Sequence, residues 1–469
     1  MIEVAVIGAG TAGIVAARHL VSAGLRPTLF ETAKTIGGAW TPSPSAFANN
    51  GQDIPNDYSA RKMWNGMHTN LSKYTCRFTD WPWPEDVSTF PTVEEMHRYL
   101  QSYSDNFLDE DNCNFLFECR VTNVEQLDVQ PEDLALQYGQ SCYNVEWMDL
   151  KTNARANKEF SGVVIATGFF HTPRYPSFIP KLLIENTKET MQRNKPEVIH
   201  SSNYITHASF QNKNVAVIGS SFSALEIATD LSQSASRIVN IVPSVPWVLP
   251  RWIPKIQPLQ KRESSSKADS TIGHSTITIL PVDLALYQRT EPFPQKEVVQ
   301  LDRDSCQKRH SLLRSLAGNK QKLSPLGEPL NWDEPPFVAI SDEYLDLTRE
   351  GRIDVIHGRL EGINDDGTLS VSDSQTITDI DVVICCTGYT PQLQNILSPK
   401  ILETLEYDQF DSFSPLSLAW DVLHPALPGL AFCGMVRMVQ VTLRYINCQS
   451  FSHYFLVSRA IYGHHGFAS

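Results

Sequence analysis

Ten residues near the start, Val4 to Gly13, constrain the fold more than any other stretch of the chain. The apolar run Val4-Ala5-Val6-Ile7 suits a strand buried on both faces, and Gly8, Gly10 and Gly13 follow as G-x-G-x-x-G where that strand ends. Ile14-Val15-Ala16-Ala17 then carries the chain into a helix. In such a unit the first glycine permits the sharp turn, the second lets backbone approach a pyrophosphate, and the third lets helix pack closely on strand. Phosphate oxygens would meet the free amides at the helix N-terminus. Gly24 is expected to end the helix, Pro27 to Phe30 reads as a second strand, and Glu31 stands eighteen residues beyond Gly13. A carboxylate at that distance belongs on a ribose hydroxyl pair, so the unit predicts an adenine-dinucleotide site.

The unit recurs in altered form. Asn214 to Ile218 is again an apolar strand, and Gly219, Ser221 and Ala224 give G-x-S-x-x-A at the start of a helix. The second strand of this module, Arg237 to Val242, ends without an acid, which favours a 2'-phosphate over a free 2'-hydroxyl. Arg237 or Arg251 is the candidate cation, and a surface role fits either as well. Two further apolar strands end in Ala166-Thr167-Gly168 and Cys386-Thr387-Gly388 and give the chain internal symmetry. Between these landmarks, Gly37-Gly38-Ala39-Trp40 offers two small residues and a flat ring. Val93 to Phe107 reads as an amphipathic helix, with Met96, Tyr99, Leu100 and Tyr103 on one face. Thr41 to Tyr58 and Pro254 to Pro335 read as irregular, the latter polar with scattered helical stretches.

At 469 residues, 42% hydrophobic, the chain can bury two or three domain cores. A net charge of -13 without a basic stripe argues against nucleic acid and anionic lipid. The first strand starts too early for a cleavable signal, and the C-terminal apolar stretch from Ala431 to Gly463 is broken by Arg437, Arg444 and Arg459. A soluble, cytoplasmic protein without membrane insertion is expected. Nine cysteines include no C-x-x-C pair, so reduced thiols are the default and no metal site is expected.

Taken together, these motifs resemble the flavin-containing monooxygenases, the N- and S-oxygenating branch of the class B flavoprotein monooxygenases. Besides the two glycine turns, the resemblance rests on Gly37-Gly38-Ala39-Trp40, Thr69-Asn70, His200 with Tyr204, and the paired Ala166-Thr167-Gly168 and Cys386-Thr387-Gly388-Tyr389. It covers most of the chain. It implies an α/β fold with two Rossmann-like domains, an FAD domain from residues 1–172 and 388–469 and an NADPH domain inserted at 173–387 that carries the irregular stretch 254–335. FAD would lie on Gly8, Gly10, Gly13, Glu31, Gly38, Trp40, Thr69, Thr167 and Gly168. NADPH would lie on Gly219, Ser220, Ser221, Ser223, Ala224 and Arg251, with His200, Tyr204, Thr387 and Gly388 at the junction. The family fingerprint F-x-G-x-x-x-H-x-x-x-[FY] keeps only its second half, since Asn194 and Pro196 replace Phe and Gly. Tyr204, where Baeyer-Villiger relatives carry Trp, favours heteroatom oxygenation.

The chemistry so implied is NADPH reduction of FAD, addition of O2 at flavin C4a, and attack by a substrate amine or thioether on the resulting hydroperoxide. Asn70 is the implied catalytic residue at the flavin's reactive edge, where an amide donates and accepts hydrogen bonds without adding charge. A homo-oligomer is compatible with the sequence. Rival readings are a Baeyer-Villiger enzyme acting on a ketone, a pyridine-nucleotide disulfide reductase, a non-catalytic flavoprotein, and a hydrolase. The hydrolase would read Gly219 to Ser223 as a nucleophile elbow, but that turn wants glycine where Ser223 stands. The reductase needs paired cysteines beside the flavin, and the sequence offers only Cys113-x5-Cys119.

Overall fold

The computed structural model describes residues 2–42, 63–64, 66–127, 142–170, 172–179, 195–255, 278–286, 302–411, 415–419 and 421–434. Two parallel sheets organise them. The first holds β1 (Glu3–Ile7), β2 (Arg26–Phe30), β3 (Asn114–Leu116) and β4 (Gly162–Ile165). The second holds β5 (Glu197–His200), β6 (Asn214–Ile218), β7 (Arg237–Val242), β8 (Asp354–His357) and β9 (Val382–Cys385), in the order β8-β7-β6-β9-β5. A late strand, β10 (Leu430–Phe432), returns to the first sheet beside β4 and completes the order β10-β4-β1-β2-β3.

Both sheets are covered in the same way, because their strands are apolar at successive positions and bury both faces. On one side of the first sheet, Val4, Val6 and Val164 pack with α1 (Thr11–Ser22) and α2 (Val93–Phe107). On the other, Ala5, Ile7, Val163 and Ile165 meet a three-stranded antiparallel sheet of Cys119–Gln126, Tyr143–Asp149 and Arg155–Phe160. In the second sheet, Val215 and Val217 pack against α3 (Phe222–Leu231), while Ala216 and Ile218 face the antiparallel strands Leu360–Ile363, Leu369–Val371 and Gln375–Ile377. The chain passes between the two halves twice, and the passing segments Thr172–Pro173 and Tyr389–Thr390 pair antiparallel.

Of the stretch from Pro254 to Pro335, residues 254–255, 278–286 and 302–335 are described, and they hold helical segments as expected. Within it lie α4 (Val282–Leu286) and α5 (Arg303–Ala317), the latter capped by the Asp302 side chain on the Ser305 amide and ended by Gly318 at φ 64°. The α5 helix buries Cys306, His310, Leu313 and Ala317, and the Trp247 indole donates to His310 Nδ1 at 2.8 Å. Residues 435–463 of the C-terminal apolar stretch, most of the loop from Thr41 to Tyr58, and Asn194 lie outside the described residues. Among the described residues no helix is long and apolar enough to cross a membrane.

Candidate functional site

Each sheet ends in a glycine turn of the same construction. The Gly8 amide donates to the Phe30 carbonyl at 2.8 Å, and the Gly219 amide to Ile241 at 2.9 Å, so each turn is tied to the end of the neighbouring strand. Gly8 and Gly219 have φ of 105° and 127°. A Cβ on Gly8 would stand 2.5 Å from the Ala166 carbonyl oxygen, and one on Gly219 2.9 Å from that of Cys386. The symmetry of the Ala166-Thr167-Gly168 and Cys386-Thr387-Gly388 turns therefore has a steric meaning: each closes over the first glycine of its module.

The third positions differ. A Cβ on Gly13 would fall 1.8 Å from the Gly8 carbonyl oxygen, whereas the second module carries the Ala224 methyl at that place. Neither helix start has a side-chain cap, its N-cap being Gly10 in α1 and Ser221 in α3. By contrast α2 is closed by a full capping box between Thr92 and Glu95. Uncapped first-turn amides at the carboxyl ends of parallel strands form an anion site. Ser220 is buried there, and Ser221 and Ser223 are half-buried.

Glu31 follows β2 and is 8% exposed. Its Oε2 accepts from the Ala9 amide at 2.9 Å, while Oε1 accepts from the Ala33 amide at 2.8 Å and Thr32 Oγ1 at 3.2 Å. A carboxylate offers about four acceptor sites, which leaves room for a ribose hydroxyl. The Gly37-Gly38 turn lies against this loop: Gly37 donates to the Ala9 carbonyl at 3.0 Å, and a Cβ on Gly38 would meet Gly10 Cα at 2.8 Å. Trp40 is half-buried at the end of that turn and packs on the first core. Behind Gly37 sit two buried polar atoms without partners, His97 Nδ1 and Thr41 Oγ1.

Asn70 occupies a segment between the two halves. Thr69 is 2% exposed, donates its amide to Pro91 and its hydroxyl to the Leu71 carbonyl, and thereby fixes the turn that presents Asn70. The Asn70 side chain is half-buried and makes no hydrogen bond among the described residues. Nearby, Trp64 packs edge-on to Tyr204 at 5.9 Å, and Phe90 to Trp252 at 5.4 Å.

Several expected ligand contacts are engaged elsewhere. Arg251, a candidate for a 2'-phosphate, places its guanidinium 2.8 Å from Glu226 and 3.0 Å from Asp342, so its charge is already neutralised. Burial opposes that charge, but the two carboxylates outweigh it and hold the pKa above the usual arginine value. Arg237 begins β7, at the opposite end from the glycine turn, and bonds Asp354 and the Thr378 carbonyl. His200 is fully buried: its Nδ1 accepts from the Ser202 amide at 3.1 Å, which leaves Nε2 to donate to the Gly388 carbonyl at 3.0 Å. Tyr204 donates to Asp230 Oδ2 at 2.5 Å, and burial, then that carboxylate, drives its pKa up. The Thr387 hydroxyl donates to the Arg174 carbonyl, and Arg174 Nε donates back to the Thr387 carbonyl at 3.2 Å. Each of these side chains is thus bonded to the protein itself.

Trp81 and Trp83 pack half-buried on α2 at the edge of the first core, and Trp247 is fully buried against His310. Cys113 and Cys119 are buried in different cores, which removes the dithiol a disulfide reductase would need. One residue escaped sequence reasoning entirely. Asn240, fully buried in β7, donates to the carbonyls of Val217 and Gly219 at 2.9 Å and accepts from Tyr344 at 2.6 Å, so it shapes the second glycine turn from beneath. Its signal was a lone amide inside an apolar strand.

Comparison with known proteins agrees with this architecture. The family model for flavin-binding monooxygenase-like proteins matches residues 2–262. Flavin-containing monooxygenase 3 of Rattus norvegicus is 29% identical over 255 residues, which are 53% of this chain and 41% of that protein. Dimethylaniline monooxygenase (N-oxide-forming) 4 of Homo sapiens is 27% identical over 252 residues, 53% of this chain and 39% of that protein. The match thus spans about two fifths of the length of each relative. Among solved structures, S-allyl-L-cysteine S-oxygenase from Allium sativum has a TM-score of 0.58 at 19% identity, covering 98% of this chain and 76% of that one. Cyclohexanone monooxygenase from Rhodococcus sp. Phi1 bound to NADP+ has a TM-score of 0.63 at 15% identity, covering 98% and 84%. At such identities the likeness is one of fold, two Rossmann-type units in one chain. The family match takes in the first glycine turn, Asn70 and the second glycine turn together, and on that ground the chain belongs to the flavin-binding monooxygenase-like family.

Proposed function

We propose that the chain is an FAD- and NADPH-dependent monooxygenase that transfers one oxygen atom of O2 to a nucleophilic nitrogen or sulfur of a small molecule. The observation that carries this reading is the site of Asn70, an amide with no hydrogen bond among the described residues, on a segment met by Arg251 of the second nucleotide module and packed through Cys76 on the core of the first. The residues fit the cofactors. The uncapped start of α1 and the close-set Gly10 and Gly38 form a cradle in which a pyrophosphate meets backbone amides, with Glu31 beside it for the ribose. The uncapped start of α3, with Ser221 and Ser223, suits the second dinucleotide. A preference for NADPH over NADH has no arginine to support it among Arg237 and Arg251, and rests on the missing acid after β7 and on the family. The domain bounds 1–172, 173–387 and 388–469 belong to the same proposal, supported by β10 returning to the first sheet and by the paired passing segments.

When bound, the reduced flavin supplies the electrons that convert O2 into one transferable oxygen atom and one molecule of water. The protein's own work is to hold and shield. The α1 amides and Glu31 anchor the first dinucleotide, and the α3 amides orient the second. Asn70 offers one donor and one acceptor at any working pH, which suits a site where a proton must be retained rather than moved. An amine or thioether brings its own lone pair, so no nucleophilic side chain is required.

The test is product formed per NADPH consumed. Asn70→Ala should keep bound flavin and its reduction by NADPH, yet release most of the oxygen as hydrogen peroxide, a loss of about tenfold or more in coupling. Unchanged coupling would remove Asn70 from the mechanism. Lactone formed from cyclohexanone, with no oxide from amines or thioethers, would replace this reading with the Baeyer-Villiger one.

A further inference from the structure

The segment that carries Asn70 has little regular structure of its own. From Gly66 to Cys76 it makes turns and a bridge, His68 to Thr92, and leans on residues 89–91 through Thr69 to Pro91 at 2.8 Å and Lys73 to Thr89 at 2.7 Å. Two charged side chains from the other half of the chain reach it. Arg251 places Nε 3.5 Å from the Thr69 carbonyl oxygen, and its guanidinium is anchored by Glu226 on α3 and by Asp342. Asp283, on α4 and 3% exposed, accepts with Oδ2 from Ser72 Oγ at 2.7 Å and from Thr75 Oγ1 at 2.6 Å. The Val282 amide donates to the Arg251 carbonyl at 2.8 Å, so both grips belong to one unit. One holds the residue before Asn70, and the other holds residues two and five places after it.

The two grips differ in strength. A contact of 3.5 Å lies at the outer edge of a hydrogen bond, whereas two short hydroxyl bonds to a buried carboxylate are charge-assisted and strong. Asp283 Oδ1 is meanwhile buried without a hydrogen-bond partner among the described residues, which costs part of what Oδ2 gains. An apolar side chain would avoid that cost but would take this acceptor from both hydroxyls.

We propose that Asp283, backed by Arg251, is a positioning residue that holds the Thr69–Thr75 turn, and with it the Asn70 amide, against the second nucleotide module. The consequence for turnover rests on the role given to Asn70 above; the hold itself does not. Because α3 both starts at the second glycine turn and carries Glu226, the helix expected to receive NADPH also anchors the guanidinium that meets Thr69.

Hydrogen exchange on the cofactor-free chain tests the hold directly. In Asp283→Ala the amides of Thr69, Lys73 and Cys76 should exchange about tenfold faster, while amides of β1 and β6 keep their rates. Ser72→Ala removes one of the two bonds from the other side and should give a smaller increase, which keeps the test available if Asp283→Ala fails to fold. Asp283→Asn should recover a substantial part of the protection, because its amide oxygen accepts both hydroxyls without the charge. In the FAD-loaded enzyme Asp283→Ala should lose coupling of product to NADPH, and Asp283→Asn should regain it. Unchanged exchange in Asp283→Ala would overturn the proposal. So would Asp283→Asn behaving like Asp283→Ala, which would assign the role to charge instead of to the two hydroxyl bonds. Faster exchange with coupling intact would uphold the hold and refute the role of Asn70.

Discussion

Gly10 and Gly13 belong to one motif but answer to different physics. Gly10 has φ −76° and ψ −172°, a conformation open to any residue, and a Cβ there would meet only Gly38 Cα at an ordinary 3.5 Å. Gly13 has no such room, since its Cβ would fall 1.8 Å from the Gly8 carbonyl oxygen. Gly10→Val should therefore fold with a stability change under about 1 kcal/mol and yet lose FAD, because the new side chain occupies the path of the pyrophosphate. Gly13→Ala should instead destabilise the protein by about 3 kcal/mol or more through overpacking of α1 on the turn. Denaturant melts alongside flavin absorbance separate the two effects, and an intact flavin content in Gly10→Val would contradict the cradle described here. This much was legible in the sequence because the glycines, Glu31 and their partners are close along the chain. Asp283 and its hydroxyl partners are 211 and 208 residues apart, so no local pattern could announce that contact.

Among the elements, α2 shows how burial writes a pH response into the flavin side. His97 packs behind Gly37, and burial depresses its pKa below the ordinary 6.5. The folded state thus binds a proton less readily than the unfolded one, so the stability tied to neutral His97 is present above the unfolded value and is lost as pH falls below it. His19 on α1, lowered by burial and then by Arg18, acts in the same direction. The thermal midpoint should drop between about pH 7 and 5, and His97→Gln should flatten that slope by up to about 1.4 kcal/mol per pH unit while His19 keeps its share. A slope identical to that of the parent would exclude His97. The bounds of α2 were readable because Met96, Tyr99, Leu100 and Tyr103 alternate with charged residues in a clear helical period. In α5 the buried set is Cys306, His310, Leu313 and Ala317, two of them weakly apolar, and the arginines and lysines around them disguised the helix as an irregular stretch.

Across the molecule, the two halves repeat one plan and are tied together at the passing segments. The His200 ring meets Ser202 through Nδ1 and the Gly388 carbonyl through Nε2 there. His200→Phe would preserve bulk and leave the Gly388 carbonyl its bond from the Arg174 amide at 2.9 Å, but would take the acceptor from the part-buried Ser202 amide, at about 1 kcal/mol, and should lower the thermal midpoint by about a degree. No change on calorimetry would mean that the junction relaxes around the loss. The paired nucleotide turns revealed this two-part plan in the sequence, but not the bonds that His200, Tyr204, Thr387 and Arg251 make to the protein itself, since a motif records which residues are present and not whom they face. Asn240 shows the other side of that limit. Strands such as Val215–Ile218, Ile238–Val242 and Val382–Cys385 are nearly uniform rows of small branched side chains, and rows so alike could slide past one another by a residue pair with little loss of apolar contact. The Asn240 amide forbids this. It finds Val217, Gly219 and Tyr344 in one alignment only, and in a slipped sheet it would be an unpaired polar group in oil, about 1–3 kcal/mol worse. A single amide thus works as an alignment key, ensuring that when the second sheet assembles, its glycine turn emerges at the edge where a nucleotide can reach it.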